Sequence, residues 1–135
     1  MTKPIDFAPL AAVAEPLRAV LDSIAARFGA DVRISRDEQL DCDPFRPAGV
    51  PSESVRWEYN LRVPTPPDAV EILLSEVVPQ LGADGWRATD RSGATEVAYQ
   101  FQRDGANLGV HISRDGTGEV VVGGSSPCVP TIEVP

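Results

Sequence analysis

The chain has 135 residues, 42% apolar and 24% charged, the proportions of an ordinary globular domain rather than a disordered segment. Its 12 lysines and arginines stand against 20 aspartates and glutamates, a net charge of −8 that argues against nucleic-acid or membrane-surface partners. One histidine and two cysteines fall short of a zinc centre, and no run approaches the roughly 18 apolar residues of a membrane span.

The length predicts a single domain over residues 1–135. Its first element is helical. Leu10, Val13, Leu17, Leu21, Ile24 and Phe28 recur at spacings of three and four, one stripe of a helical period. Asp6 is placed to cap the start and Gly29 to stop the helix in a left-handed conformation. Pro16 removes a donor and crowds the preceding turn, which predicts a kink or a fresh start near Glu15. A short strand, marked by the apolar–polar alternation at residues 32–35, leads into a long loop, about 37–53, holding Cys42, Pro44, Pro47 and Pro51. Val55, Trp57, Tyr59, Leu61 and Val63 then alternate with Arg56, Glu58, Asn60 and Arg62, the clearest strand in the chain.

A second helix opens at Thr65, a capping residue, with Pro66 at the first helical position and Asp68 near the unpaired amides. Val70, Leu73, Leu74, Val77, Val78 and Leu81 form its buried stripe. Pro79 weakens the last turn, and Gly82 or Gly85 ends it. The remainder reads as antiparallel strands. Trp86 leads toward a turn at residues 90–93, and Val97, Tyr99 and Phe101 alternate with polar neighbours. Asp104-Gly105 is a hairpin signal, Leu108, Val110 and Ile112 face inward, and Asp115-Gly116 precedes the last strand at residues 119–122. The proline-bearing tail, 129–135, is expected to be irregular.

This order implies an α+β two-layer sandwich, with two helices packed on one face of a mainly antiparallel sheet of about five strands. The opposite sheet face would carry Arg56, Glu58, Asn60, Arg62, Glu96, Gln100, Gln102 and His111. The simple expectation for that face is solvation. The sharper one is a partner-binding surface made by Arg56, Glu58, Arg62, Gln100 and His111.

Candidate chemistry is sparse. His111, Ser113 and Asp115 share one face of a strand, whereas hydrolytic triads gather their members from separate elements. Asp37, Glu38, Asp41 and Asp43 cluster near Cys42 without the spacing of a calcium loop. Gly123-Gly124 precedes a proline rather than opening a helix, so it is no phosphate cradle. Trp57 and Trp86 fall at core-facing positions, where burial is the default. No catalytic residue, cofactor or metal ligand set emerges, and the expectation is a protein that is not an enzyme.

The first residues do not read as a secretory signal, because Asp6, Pro9, Glu15 and Pro16 interrupt any apolar stretch; taken alone they point to the cytoplasm. The cysteines point the other way. Cys42 and Cys128 both lie in loops rich in proline, glycine or aspartate, one near each end of the β-rich region, where a disulfide would be a natural staple. They could equally be two unrelated free thiols. A bonded pair implies an oxidising compartment, and the absence of a Cys-x-x-Cys spacing disfavours a redox-active one.

Residues 81–87 (LGADGWR), 109–113 (GVHIS) and 120–129 (VVVGGSSPCV) resemble small actinobacterial secreted or lipoprotein-like proteins of unknown function. The likeness covers roughly residues 55–129 and implies a helix ending at a tryptophan-bearing turn, a β-meander and a closing cysteine that pairs with an earlier one. It therefore favours Cys128 as a disulfide partner and nominates Cys42 as the other half. The chain departs from that pattern in lacking a lipobox cysteine near residue 1. The leading expectation is a non-catalytic cell-envelope or secreted domain that binds an unknown protein or small ligand, extracytoplasmic if the cysteines are bonded and otherwise cytoplasmic. The alternative is a small acidic intracellular chaperone or adaptor, expected to dimerise. Secretion chaperones resemble this chain in size, low pI and mixed helix–strand order, an architectural analogy only.

Overall fold

The computed structural model describes residues 5–6, 8–43, 53–130 and 132–133. The first apolar stripe forms one helix, α1 (Ala8–Phe28), burying Leu10, Leu17, Leu21, Ile24 and Phe28. Pro16 lies inside it without the expected restart at Glu15. Pro16 and Ala12, four residues earlier, are both exposed, so the carbonyl that loses its helical donor can bond water instead. Asp6, expected at the start of the helix, lies in a two-residue strand, β1 (Ile5–Asp6). Gly29 follows the helix without the positive φ of a left-handed stop. Its bare Cα is useful for another reason, since a Cβ there would stand 3.2 Å from Val63 Cγ1.

Eight further strands follow: β2 (Arg33–Asp41), β3 (Ser54–Pro64), β4 (Arg87–Asp90), β5 (Glu96–Arg103), β6 (Ala106–Ser113), β7 (Glu119–Ser125), β8 (Val129–Pro130) and β9 (Ile132–Glu133). All but β1 and β9, which pair with each other, join one seven-stranded open sheet in the order β2-β3-β7-β6-β5-β4. β8 extends the β7 side of β3 by pairing Val129 with Val55 and Pro130 with Ser54. Every pairing is antiparallel. The α+β architecture is as expected, but the strand count exceeds five. The tail, expected to be irregular, supplies β8, and the first five residues of the expected loop at 37–53 lengthen the short strand expected at 32–35 into β2, which runs through Asp41. The part of that loop bearing Pro44, Pro47 and Pro51 lies outside the described residues.

The second helix, α2, runs as Ala69–Ile72, a π-helical turn at Leu73–Val77, and Val78–Ala83. The widened turn directly precedes Pro79, which has no N–H for the carbonyl four residues back. Thr65 does not cap this helix. Its hydroxyl donates to the Gly118 carbonyl at 3.0 Å, tying the end of β3 to the β6–β7 turn, and Asp68 takes the cap position. Gly85, at φ +89°, supplies the left-handed exit, and the Trp86 amide closes back onto the Leu81 carbonyl at 2.9 Å.

Both helices lie on one sheet face over a single core, in which Leu61, Phe101, Leu108, Val110, Ile112, Val120 and Val122 meet Leu21, Leu73 and Val77. At the β2 edge the helix layer becomes polar. Arg18 of α1 pairs with Asp37 at 3.0 Å and lies 4.7 Å from the Trp57 ring centroid, while the indole N–H donates to the same aspartate. Trp57 is thus half-buried rather than a core residue; Trp86 is buried, with the Arg103 guanidinium 4.4 Å from its ring. One turn along α1, Asp22 accepts the Tyr59 hydroxyl at 2.6 Å. Burial first, then this bond and the aspartate charge, push the Tyr59 pKa up to about 12.

Two measurements check this packing. A Cβ on Gly124 would lie 2.3 Å from the Asn107 carbonyl oxygen and 3.1 Å from Leu108 Cα, whereas one on Gly82 meets nothing within 4 Å. Gly124→Ala should therefore cost about 1–3 kcal/mol in urea unfolding, and Gly82→Ala, inside α2, should be neutral or stabilising by up to ~1 kcal/mol. The raised Tyr59 pKa means the native state holds the phenol proton more tightly than the unfolded chain does. Its contribution is complete below pH 10.0 and is lost as pH rises through about 12. In a Tyr99→Phe background, ultraviolet titration should place the remaining tyrosine near 12. Asp22→Asn should lower that value but leave it above 10.0, because burial is the larger cause.

Candidate functional site

Antiparallel alternation fixes what the helix-free face presents. With Val55, Tyr59, Leu61 and Val63 of β3 turned to the core, Glu58, Asn60 and Arg62 point outward. The register then lays three outward rows across the sheet. One runs Arg62, Val121, His111, Ala98; the next Asn60, Gly123, Gly109, Gln100; the third Glu58, Ser125, Asn107, Gln102. Arg91 joins the first row, since its amide donates to the Ala98 carbonyl at 2.8 Å. The middle row places two glycines side by side, with an amide side chain at either end. The result is an open trough of about 390 Å³ lined by all of these except Gln102, together with Ser35.

Of the five residues expected to form a partner face, Glu58, Arg62, Gln100 and His111 line the trough. Arg56 does not. Its guanidinium donates to the Asp41 carbonyl at 3.0 Å and lies 4.0 Å from Glu58, bracing the β2–β3 edge. The other lining groups are mostly engaged. Glu58 accepts the Ser125 hydroxyl, Arg91 donates to Gln100 at 3.3 Å, Asn107 accepts from Gln102 at 3.0 Å, and His111 Nδ1 faces Glu96 at 3.4 Å. Among the described residues, the side chains of Asn60 and Arg62 make no hydrogen bond or ion pair, and both are half-buried. Gly109, Gly123, Arg91 and Asn107 were not foreseen as site residues. The only signal that could have found them is the strand register, which sets Gly109 opposite Gly123 although they are far apart in sequence.

The remaining polar motifs resolve into local structure. Ser113 donates to Asp115 at 2.6 Å rather than facing His111, and the Thr117 amide and hydroxyl donate to the same oxygen at 2.9 and 2.6 Å. These bonds, Ser113's first, hold the exposed Asp115 carboxyl down at about 2 and shape the turn before β7. Asp37 and Glu38 are consecutive on β2 and so point to opposite faces, Asp37 to Arg18 and Glu38 to Arg36 at 3.2 Å. Gly124 fits where the β6 backbone approaches closely, while Gly123 floors the trough. A smaller cleft of about 150 Å³ between α1 and the β5–β6 hairpin is lined by Val13, Pro16, Val20, Trp86 and Pro127 among others. Its arginine, Arg103, already covers Trp86 and donates to the Asp84 carbonyl at 2.8 Å. Among the described residues no helix is long and apolar enough to cross a membrane.

Cys42 and Cys128 meet at the start of β3. The Cys42 amide donates to the Ser54 carbonyl at 3.1 Å on one side of that strand, while Cys128 precedes β8 on the other. Their Cα atoms are 6.3 Å apart, at disulfide distance, across 86 residues of sequence.

No known family model matches the sequence, and no curated protein matches it. A solved structure with a similar fold is that of "the putative lipoprotein LppA from Mycobacterium tuberculosis", at a TM-score of 0.53 and 11% identity, covering 91% of this chain and 76% of that one. At that identity what the two proteins share is the fold.

Proposed function

We propose that this chain is a non-catalytic domain of the cell-envelope or secreted type, which works by binding a protein or a small ligand. The cysteine pair carries the reading. Two cysteines 86 positions apart are brought within reach at the one end of β3 where both flanking segments converge. A covalent link there restricts the unfolded chain most where the loop is long, and such links persist in oxidising compartments. The fold shared with a protein described as a lipoprotein supports the same location. The binding half of the reading is supported by the way polar groups are used. Ser113 and Asp115 are committed to a turn and His111 to Glu96, whereas the trough leaves Asn60 and Arg62 open.

Protein prepared from an oxidising compartment without reductant, then denatured and titrated with a thiol reagent, should show no free thiol; two thiols would overturn the reading. In the same preparation Cys128→Ser should lose about 4–5 kcal/mol of stability, the loop-entropy value for a closure of this length. A loss below ~1 kcal/mol would show that the link contributes little to stability.

A further inference from the structure

We propose that the trough on the helix-free sheet face binds a small monocarboxylate ligand, with its carboxylate on Arg62 and its neutral hydrogen-bonding part against the Asn60 amide. The arginines make the case. Every other arginine among the described residues is engaged: Arg18, Arg27, Arg33 and Arg36 by carboxylates, and Arg56, Arg87, Arg91, Arg103 and Arg114 by carbonyl or amide oxygens. In a chain with 20 acidic residues against 12 basic ones, a cation finds a partner easily. Yet among the described residues Arg62 has none, and it is half-buried. A partly desolvated guanidinium without a counterion is unfavourable by itself and gains most from an anion supplied from outside.

The surroundings narrow the chemistry. Gly123 and Gly109 put no side chain of their own on the floor beside Arg62; the Asn60 amide lies over Gly123, its Oδ1 only 2.0 Å from where a Gly123 Cβ would be, and the His111 imidazole borders Gly109, its Nε2 3.5 Å from where a Gly109 Cβ would be. An amide offers both donors and acceptors, which suits a neutral amide or hydroxyl on the ligand. Glu58 lines the far side of the same trough, and only one unpaired guanidinium is on hand, so a phosphate dianion is poorly matched. A planar monoanion that takes the arginine fork in two parallel bonds fits. The inference rests on the binding reading above, but the two fail separately: thiol titration tests the location, and ligand titration tests the trough.

The probe is N-acetylglycine, followed by amide NMR of the intact, oxidised chain, with N-acetylglycinamide as the neutral control and inorganic phosphate as the competing anion. The Gly109 and Gly123 amides should shift saturably with N-acetylglycine, and much less with either control. Arg62→Gln should weaken binding about tenfold or more, the usual loss for a charge-assisted hydrogen bond. Arg56→Gln, on the same strand but outside the trough, should leave it unchanged. Arg62→Lys, which keeps the charge but not the fork, should fall between. An absent shift, an equal response to the neutral amide, phosphate binding as tightly as the carboxylate, or an undiminished Arg62→Gln response would each overturn the proposal.

Discussion

The alternation along β3 is the constraint on which the rest of the molecule depends. Its inward set, Val55, Tyr59, Leu61 and Val63, is almost wholly removed from water beneath the helices, and its outward set includes Glu58, Asn60 and Arg62. A slip of one residue would exchange the two sets, exposing the apolar row and burying the charged one, so the register is specified by the core. Because β3 pairs with β2 on one side and with β7 and β8 on the other, that register passes to its neighbours. It sets Gly123 opposite Asn60 and, through β6, Gly109 opposite Gly123. The trough is thus a by-product of burying Leu61, since the same pairing that seats one face of the sheet arranges the other.

The two segments that carry the cysteines are drawn to the same strand. After β7 the backbone does not leave the sheet at once. The Ser126 amide donates to the Trp57 carbonyl, and its hydroxyl accepts the Trp57 amide, so a side chain substitutes for one rung of the ladder. β8 then resumes pairing with Ser54 and Val55. Cys128 lies in this interval and Cys42 just past β2, each beside the first residues of β3. A short, two-residue strand such as β8 has little hydrophobic burial of its own, with Val129 half-buried and Pro130 exposed. A covalent tie at that point would hold what side-chain packing leaves free to fray.

What could be read from the sequence is what side-chain periodicity encodes. The stripe ending at Phe28, the β3 alternation and the Asp104-Gly105 turn, where both residues do adopt positive φ, all correspond to structure. Only the start of β2 could be read, from the short alternation at residues 32–35; its run to Asp41 was hidden because its pairing is carried by the backbone. Its residues read Arg-Ile-Ser-Arg-Asp-Glu-Gln-Leu-Asp, with no apolar row, since one face meets solvent and the other extends past the helices to Arg18. Ile34, one of the two apolar residues in β2, is 55% exposed. Such a polar edge also discourages pairing with other chains, which explains why an edge strand of this length should look so unlike β3. Pro16 and Pro79 misled in the opposite way. Each breaks a local rule that the structure accommodates, one by exposure and one by a widened turn.

The site was half legible for the same reason. Arg62, Gln100 and His111 could be assigned to one face from alternation alone, but whether that face is flat or hollow depends on which residues lie between them. Two glycines in adjacent strands make it hollow only because they fall in one row, a property of the register and not of either segment. The same register supports a binding role over a merely solvated surface. A floor of backbone in a central part of a seven-stranded sheet is held by hydrogen bonds on both sides, so little order remains to be imposed when a ligand arrives. Arg62 and Asn60 stand two residues apart on β3, whose opposite face is fully packed, and their backbones cannot shift without disturbing Leu61 and Val63. Arg62 is thus held on a fixed support without a partner among the described residues, which distinguishes it from the other described arginines, each engaged by an oxygen of the protein.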